Sequence, residues 1–286
     1  MDRTKIIAWL SLLLAGCGHP AAIVVGSKNF TEQVLLGEIL AQQIERRLHV
    51  PVERKLDLGG TMLAHEALVK GDIDLYPEYT GTARAAVLQD SSSADGGKAL
   101  AEVRAEYRKR WRLDWLPPLG FDNTFAMMVR REEKAGNLSE AAAERAWRLG
   151  VGYEFEQRRD GLDGLRAAYG LRLDGTPVTM DLGLLYAALG SGKVDMIAAN
   201  STDGLASALP VKILADDRHY FPSYECAVVA REETLGKFPR LRGALEELSG
   251  KISNERMQRL NYAVDGLHRP AAEVAAEFLR SVAEGR

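Results

Sequence analysis

The chain has 286 residues, 46% of them hydrophobic and 27% charged, which is ordinary globular composition and enough length for two domains. A formal net charge of -3, with no basic block and no glutamine-rich tract, gives nucleic acid no reason to bind. Repeats at solenoid periods are absent, which excludes a stacked-repeat architecture.

Arg3 and Lys5 precede an apolar run from Ile6 to Leu14, and small residues then lead to Cys17. This run falls short of the roughly 20 apolar residues that a bilayer span needs, and it fits a secretory signal peptide. Its ending, Leu14-Ala15-Gly16-Cys17, resembles the bacterial lipobox, which implies that Cys17 becomes the lipidated first residue of the mature chain. Residues 1–20 are then signal and anchor region, and several acyl chains hold the protein stably on a membrane. The alternative is a plain cleaved signal with a chance cysteine. If Cys17 is lipidated, Cys226 is the remaining thiol, and an internal disulfide is excluded even where the compartment permits one. Beside Ala227 to Ala230, Cys226 reads as a small buried hydrophobe, and no local motif places a histidine near it to make a nucleophile.

The first elements alternate. Ile23 to Gly26 is a buried-type strand, and the polar stretch Ser27 to Glu32 leads into a long helix. Leu36, Leu40, Ile44 and Leu48 form its core stripe with Leu35 and Ile39 alongside, while Glu38, Gln42, Glu45 and Arg46 face water. Asn29 and Glu32, three residues apart, predict a capping arrangement at the start of that helix. Lys28 next to the helix-start amides suggests an anion site, with a solvated loop lysine as the bland alternative. Val52 to Leu58 alternates as a strand, and Gly59-Gly60 precedes a second helix with Thr61 near its cap. Met62, Leu63, Ala67 and Leu68 recur at helical spacing and predict its apolar face. Ile73 to Tyr76 follows as a strand that Pro77 ends, and Glu78 to Thr82 is a polar, ligand-facing loop carrying Tyr79 at the strand's carboxyl end. Residues 82–112 are helical apart from a loop of turn-forming residues over 90–97, and Trp115 to Pro118 ends the section.

Gly120 to Thr124 is a polar kink before the apolar strand Phe125 to Val129, and it marks a crossing into a second unit. The alternation then restarts. Helices are predicted near Ser139 to Trp147, Leu162 to Tyr169 and Leu182 to Leu189, and strands over Leu149 to Tyr153, Pro177 to Met180, Val194 to Ala198 and Val211 to Leu214. Tyr220 to Glu225 leads to an apolar strand, Cys226 to Ala230, that carries the chain back; the remainder is helical, with Pro239 and Pro270 at helix starts. Such alternation implies mostly parallel sheets with helices on both faces. Two α/β units joined by two crossings predict a hinged clamshell that closes on a small ligand, with lobe 1 formed by 21–121 and 228–286 and lobe 2 by 122–227.

Five ordered segments carry a family likeness: Gly26-Ser27-Lys28-Asn29-Phe30-Thr31-Glu32, Leu58-Gly59-Gly60-Thr61, Tyr76-Pro77-Glu78-Tyr79-Thr80-Gly81-Thr82, Ser201-Thr202-Asp203-Gly204 and Phe221-Pro222-Ser223-Tyr224. Through them the chain resembles the substrate-binding proteins of ABC importers for osmoprotectants, the glycine betaine, carnitine and choline group, from about Val24 to the C-terminal helices. The resemblance implies an α/β, two-lobed periplasmic-binding-protein fold of type II with two hinge crossings. It also implies an extracytoplasmic, monomeric receptor without cofactor, metal or catalysis, lipid-anchored in the periplasm or at the cell surface, which delivers its ligand to an ABC permease and its ATPase. By position, Tyr79, Phe125 and Tyr224 match an aromatic cage for the quaternary ammonium, Lys28 and Arg158 match carboxylate partners, and Thr82 matches a hydroxyl contact, with Thr61 a further ligand contact. The neighbouring Arg159 is the alternative register for Arg158. The chemistry is coherent: a quaternary ammonium has no N–H to donate and is attracted to aromatic faces, whereas a carboxylate suits a guanidinium fork.

Two departures bear on the ligand. Asn200 stands where that family usually has a cage aromatic, and Phe125 where it usually has tyrosine. A cage open on one side suits a ligand larger or more polar than glycine betaine, such as carnitine or ergothioneine, with Asn200 bonding the extra group. The bland readings are packing for each tyrosine, a surface ion pair for Arg158, Arg159 and Asp160, surface or core placement for His65, and a helix cap near the cleft for Asp203. Two rival classes are an enzyme on the same bilobal fold, for which the chain offers only Cys226 and scattered histidines, and a sensory receptor for a small zwitterion.

Overall fold

Two five-stranded sheets organise the chain in the computed structural model, which describes residues 22–90 and 96–285. The expected signal peptide, the lipidation site at Cys17 and most of the loop expected over 90–97 lie outside the described residues. None of the described helices is long and apolar enough to cross a membrane.

The first sheet is laid down by β1 (Ile23–Gly26), α1 (Thr31–Leu48), β2 (Val52–Lys55), α2 (Thr61–Lys70) and β3 (Leu75–Tyr79). A single helical turn, α3 (Thr80–Thr82), runs into a π-helical turn (Ala83–Leu88), and α4 (Gly96–Trp111) leads to the edge strand β4 (Leu113–Trp115). The second sheet follows with β5 (Phe125–Arg130), α5 (Leu138–Glu144), β6 (Leu149–Val151), α6 (Tyr153–Gln157), α7 (Leu162–Tyr169), β7 (Val178–Thr179), α8 (Leu182–Gly190), β8 (Met196–Asn200), α9 (Leu205–Ala208) and β9 (Val211–Ile213). The chain then returns through β10 (Cys226–Arg231) and ends in α10 (Glu232–Lys237), α11 (Leu241–Glu246), α12 (Asn254–Asp265) and α13 (Ala271–Ala283).

Strand orders are β2-β1-β3-β10-β4 and β7-β6-β8-β5-β9. Each sheet is parallel on one side, and each takes an antiparallel strand at the fourth position: β10 against β3 and β4, β5 against β8 and β9. The inner strands β1, β10, β5 and β8 are mostly buried and largely apolar, whereas the edge strand β2 (Val-Glu-Arg-Lys) is partly exposed and charged. Along β10, Cys226, Val228 and Ala230 enter one cluster while Ala227 and Val229 enter another; Met127 and Val129 of β5 likewise face opposite to Ala126 and Met128.

The two crossings lie side by side. Asp122 in the first accepts the amide of Tyr224 in the second at 2.9 Å and, through its other oxygen, the hydroxyl of Ser223, while the Asn123 amide donates to the Tyr224 carbonyl at 3.2 Å.

The α/β class and the two crossings agree with expectation, as does the order of the main elements; the short helices α6 and α9 were not expected, the strand expected over Leu149 to Tyr153 ends at Val151, and four further local readings need correction. The strand expected to stop at Pro77 runs through it to Tyr79. The β1 ladder touches β3 only at Val25 opposite Leu75, so the missing N–H of Pro77 costs little pairing. On α2 the buried stripe is Thr61, Ala64, His65 and Leu68, at helical spacing, whereas Met62 and Leu63 are 49% and 60% exposed. His65 packs edge-on against Tyr107 and Trp111, and burial pushes its pKa down to about 4. Asn29 does not cap α1: Phe30 occupies the cap without a side-chain bond, and Glu32 turns inward. Asp203 does not cap α9, whose first turn follows Gly204. The edge strand β4, only three residues long, escapes any alternation test.

Leu36 has no exposed surface within the largest apolar cluster. Leu36→Ala is expected to lower the unfolding free energy by about 2 to 5 kcal/mol, measured by urea denaturation.

Candidate functional site

Strand ends from both sheets converge on a cavity of about 430 Å³. Lys28 follows the carboxyl end of β1, Tyr79 closes β3, Thr82 sits in the turn beyond it, Phe125 opens β5 and Asn200 closes β8. These five residues, with Arg158 after α6 and Tyr224 in the second crossing, line the same cavity. Thr61 is the exception among the residues singled out from sequence. It lies beneath the wall, 2% exposed, where it touches Lys28 and Glu154. Of the two arginines, Arg158 lines the cavity while Arg159 is exposed. Gly81 lets the α3 turn come this close to the second crossing, since a Cβ there would lie 2.6 Å from the Tyr224 ring and 2.7 Å from the Ser223 carbonyl.

Both cavity-wall cations already have carboxylate partners. Lys28 Nζ donates to Glu78 at 2.6 Å and to the Thr61 hydroxyl at 3.2 Å, and both members of the ion pair are buried. Arg158 grips Asp160 with Nε and Nη2, while Nη1 donates to Thr82 Oγ1 at 3.0 Å and lies 3.6 Å from Glu154. Burial works against the Arg158 charge, but the Asp160 hydrogen bonds and the charges of Tyr224, Asp160 and Glu154 outweigh it, so its pKa is raised. These cations also lie on the rings: Lys28 Nζ is 4.9 Å from the Tyr79 centroid, and the Arg158 guanidinium is 4.9 Å from Phe125 and 5.6 Å from Tyr224. Further aromatics extend the wall. Phe30 stacks on Tyr79 at 6.4 Å, and Phe155 meets Phe125 edge-on at 4.9 Å.

Two further carboxylates line the cavity. Glu32 is 3% exposed and accepts four hydrogen bonds: Tyr79 hydroxyl at 2.7 Å and Asn123 Nδ2 at 2.8 Å on Oε1, Thr202 hydroxyl at 2.6 Å and Asn261 Nδ2 at 2.9 Å on Oε2. Burial raises its pKa against the pull of those four donors. Asp203 is half-buried and lines the cavity, where its Oδ2 accepts the Tyr186 hydroxyl and the Asn200 amide, each at 3.1 Å. Burial, with a smaller push from the Glu32 charge, moves its pKa up to about 7.

Contacts across the cavity hold the two sheets together around it. Glu154 of α6 accepts the Thr61 amide at 2.5 Å and its hydroxyl at 3.1 Å, so a carboxylate that follows a strand of the second sheet sits on the positive end of α2, which joins two strands of the first. Burial would raise the Glu154 pKa, but the Lys28 charge, the Thr61 amide and Arg158 lower it. The Tyr224 hydroxyl donates to Asp160 from the crossing. Sequence reasoning missed Glu154, Tyr186, Asn123 and Asn261, read the Arg158–Asp160 pair as a surface one, and mistook Glu32 for a cap. Asp160 and Glu154 lie two and four positions from Arg158, whereas the other partners of these residues are distant in the chain.

Residues 21–281 match the family described as the substrate binding domain of the ABC-type glycine betaine transport system. The chain is 35% identical to the "Ergothioneine transport permease/ergothioneine binding protein EgtU" of Helicobacter pylori (strain G27), over 96% of its own length but 52% of that protein's, so it spans about half of that relative. It is 34% identical to the "Carnitine transport binding protein OpuCC" of Listeria monocytogenes serotype 1/2a (strain 10403S), with 94% and 92% of the two chains covered. Among solved structures, the chain is similar to one described as "Crystal structure of glycine betaine/carnitine/choline ABC transporter", with a TM-score of 0.76, 32% identity, and 91% and 98% of the chains covered.

The Asp203 shift has a definite sign. The unfolded carboxyl loses its proton near 3.8, whereas the folded one keeps it to about 7, so folding binds a proton and stability falls as pH rises between those values. Asp203→Asn removes that slope. Its melting temperature relative to the unsubstituted protein should climb from pH 4.5 to 7 and level off above; a pH-independent difference in thermal melts would contradict the burial of Asp203.

Proposed function

The chain belongs to the family of substrate-binding domains of ABC-type glycine betaine transport systems, and from that premise we propose that it captures a quaternary ammonium compound between its lobes, outside the cytoplasm, for delivery to a permease and its ATPase. One observation carries the reading: aromatic rings and a guanidinium with an adjacent hydroxyl meet on one cavity between two sheets. A volume of about 430 Å³ suits a small ligand. The printed names of the relatives, carnitine and ergothioneine binding proteins, point to the same ligand class.

Tyr79, Phe125 and Tyr224 form the aromatic cage in this reading, with Phe30 and Phe155 extending it. The ligand carboxylate meets Arg158 Nη1 and Thr82, because Nε and Nη2 are committed to Asp160. Lys28, paired with Glu78, supports the site by its charge and by ordering Thr61, while Asn200 meets a polar group of the ligand. Lobe 1 comprises 21–121 and 228–286, and lobe 2 comprises 122–227. A monomer anchored through lipid at Cys17 completes the picture. Binding without turnover is favoured because the Cys226 thiol is fully buried and its pKa is pushed up by that burial, which leaves it inert as a nucleophile.

A thermal-shift panel of glycine betaine, choline and L-carnitine tests this reading. At 100 times the Kd, a ligand that binds only the folded state adds about 2.7 kcal/mol of stability. At least one of the three should raise the melting temperature, and Tyr79→Ala should abolish the response. Arg158→Gln should weaken the carboxylate-bearing ligands at least tenfold more than choline. Silence across the panel and with ergothioneine, or chemical conversion of any ligand, would overturn the proposal.

A further inference from the structure

The cavity wall is unevenly matched in charge. Lys28 and Arg158 each face a carboxylate of the protein, whereas Glu32 and Asp203 have no cation within ion-pair distance among the described residues. Glu32 has nothing left to offer a ligand, since four donors occupy its two oxygens. Asp203 differs. Its Oδ2 is filled by Tyr186 and by the Asn200 amide, but Oδ1 receives only the Asn200 side chain at 3.4 Å, beyond the ordinary N–H···O range. Asp203 thus lines the cavity wall beside Asn200 at the end of β8, and its Oδ1 keeps spare acceptor capacity.

Building on the quaternary ammonium reading of the cleft, we propose that Asp203 Oδ1 and the side-chain Oδ1 of the adjoining Asn200 form an acceptor subsite that takes an O–H or N–H of the ligand. The subsite selects betaines carrying such a donor over glycine betaine, which has none. A site built to pair a ligand donor discriminates strongly against the analogue lacking it, because closing over that analogue strips water from the acceptor without replacing it.

The remaining groups around Asp203 do not supply the missing donor. Glu32 from α1 and Asp265 from α12 are acids, the Tyr186 hydroxyl from α8 is already bound to Oδ2, and Lys28 and Arg158 are held by Glu78 and Asp160. The two donors on Oδ2 also fix where a proton goes: a protonated Asp203 carries it on Oδ1, which then donates instead of accepting. With its pKa pushed up to about 7, the carboxyl makes this change near neutrality, so preference for a donor-bearing ligand strengthens from pH 6 to pH 8.

Calorimetric titration of the purified protein at pH 8 with glycine betaine, L-carnitine and ergothioneine provides the test, with choline as a fourth ligand. L-carnitine or ergothioneine should bind at least tenfold more tightly than glycine betaine. Asp203→Asn should shrink that ratio at least fivefold, and Asn200→Tyr, which lays a ring over Asp203, should shrink it independently should the first variant fold poorly. Glycine betaine binding most tightly, or a ratio unmoved by either folded variant, would overturn the subsite and leave the receptor reading standing. No binding of any of the four to a folded, unsubstituted protein would instead remove the receptor reading, and the subsite with it.

Discussion

A carboxylate buried without a cation is the constraint on which the rest of the molecule depends. Glu32 sits at the start of α1, and its four donors come from four places: the end of β3, the first crossing, the turn after β8, and α12. Taking a carboxylate out of water costs several kcal/mol. Hydrogen bonds to a charged group return about 1.5 to 3 kcal/mol each, so the charge is tolerable when all four donors are assembled and severe when they are not. One side chain thereby couples the relative placement of the two sheets to the orientation of Tyr79, a ring of the cavity wall. Packing alone would not impose that coupling, because apolar contacts are forgiving of direction.

A related logic of paired charge governs the cations of the cavity wall. Lys28 and Arg158 would be expensive to bury singly, and each is neutralised by a carboxylate from a nearby turn or strand, Asp160 and Glu78 respectively for the arginine and the lysine. The pairing holds both cations still over aromatic faces, so the wall is preorganised before any ligand arrives. Glu154 extends this arrangement across the gap by accepting from the first amide of α2, a contact that exists only with the sheets approximated. The cavity wall and the contact between the two sheets thus draw on the same few ionised groups.

Much of the architecture was legible because it rests on short-range periodicity. The helix Leu162–Tyr169 and the strand at Phe125 follow from residues within a few positions of each other, and they appear where expected. The α2 face was misjudged for a physical reason. Met62 and Leu63 are as apolar as a core pair, and only the presence of Tyr107 and Trp111, some 40 positions onward, makes the His65 side the buried one. The cavity residues Lys28, Tyr79, Thr82, Phe125, Arg158, Asn200 and Tyr224 were found together through family likeness, and no spacing in the chain would have joined them. Glu32 shows the limit most clearly: its bonds to Thr202 and Asn261 span 170 and 229 positions, and locally it has every mark of a helix cap.

Asp122 gives the two crossings a mechanical character. By accepting from both Ser223 and Tyr224, it fastens one crossing to the other at the point where each leaves its sheet. Sliding one lobe past the other would tear that fastening, whereas swinging about it leaves the bonds intact. The molecule is in this respect a pair of jaws on a riveted pin, and Asp122 stiffens that pin from outside the cavity lining, whereas its partner Tyr224 belongs to both.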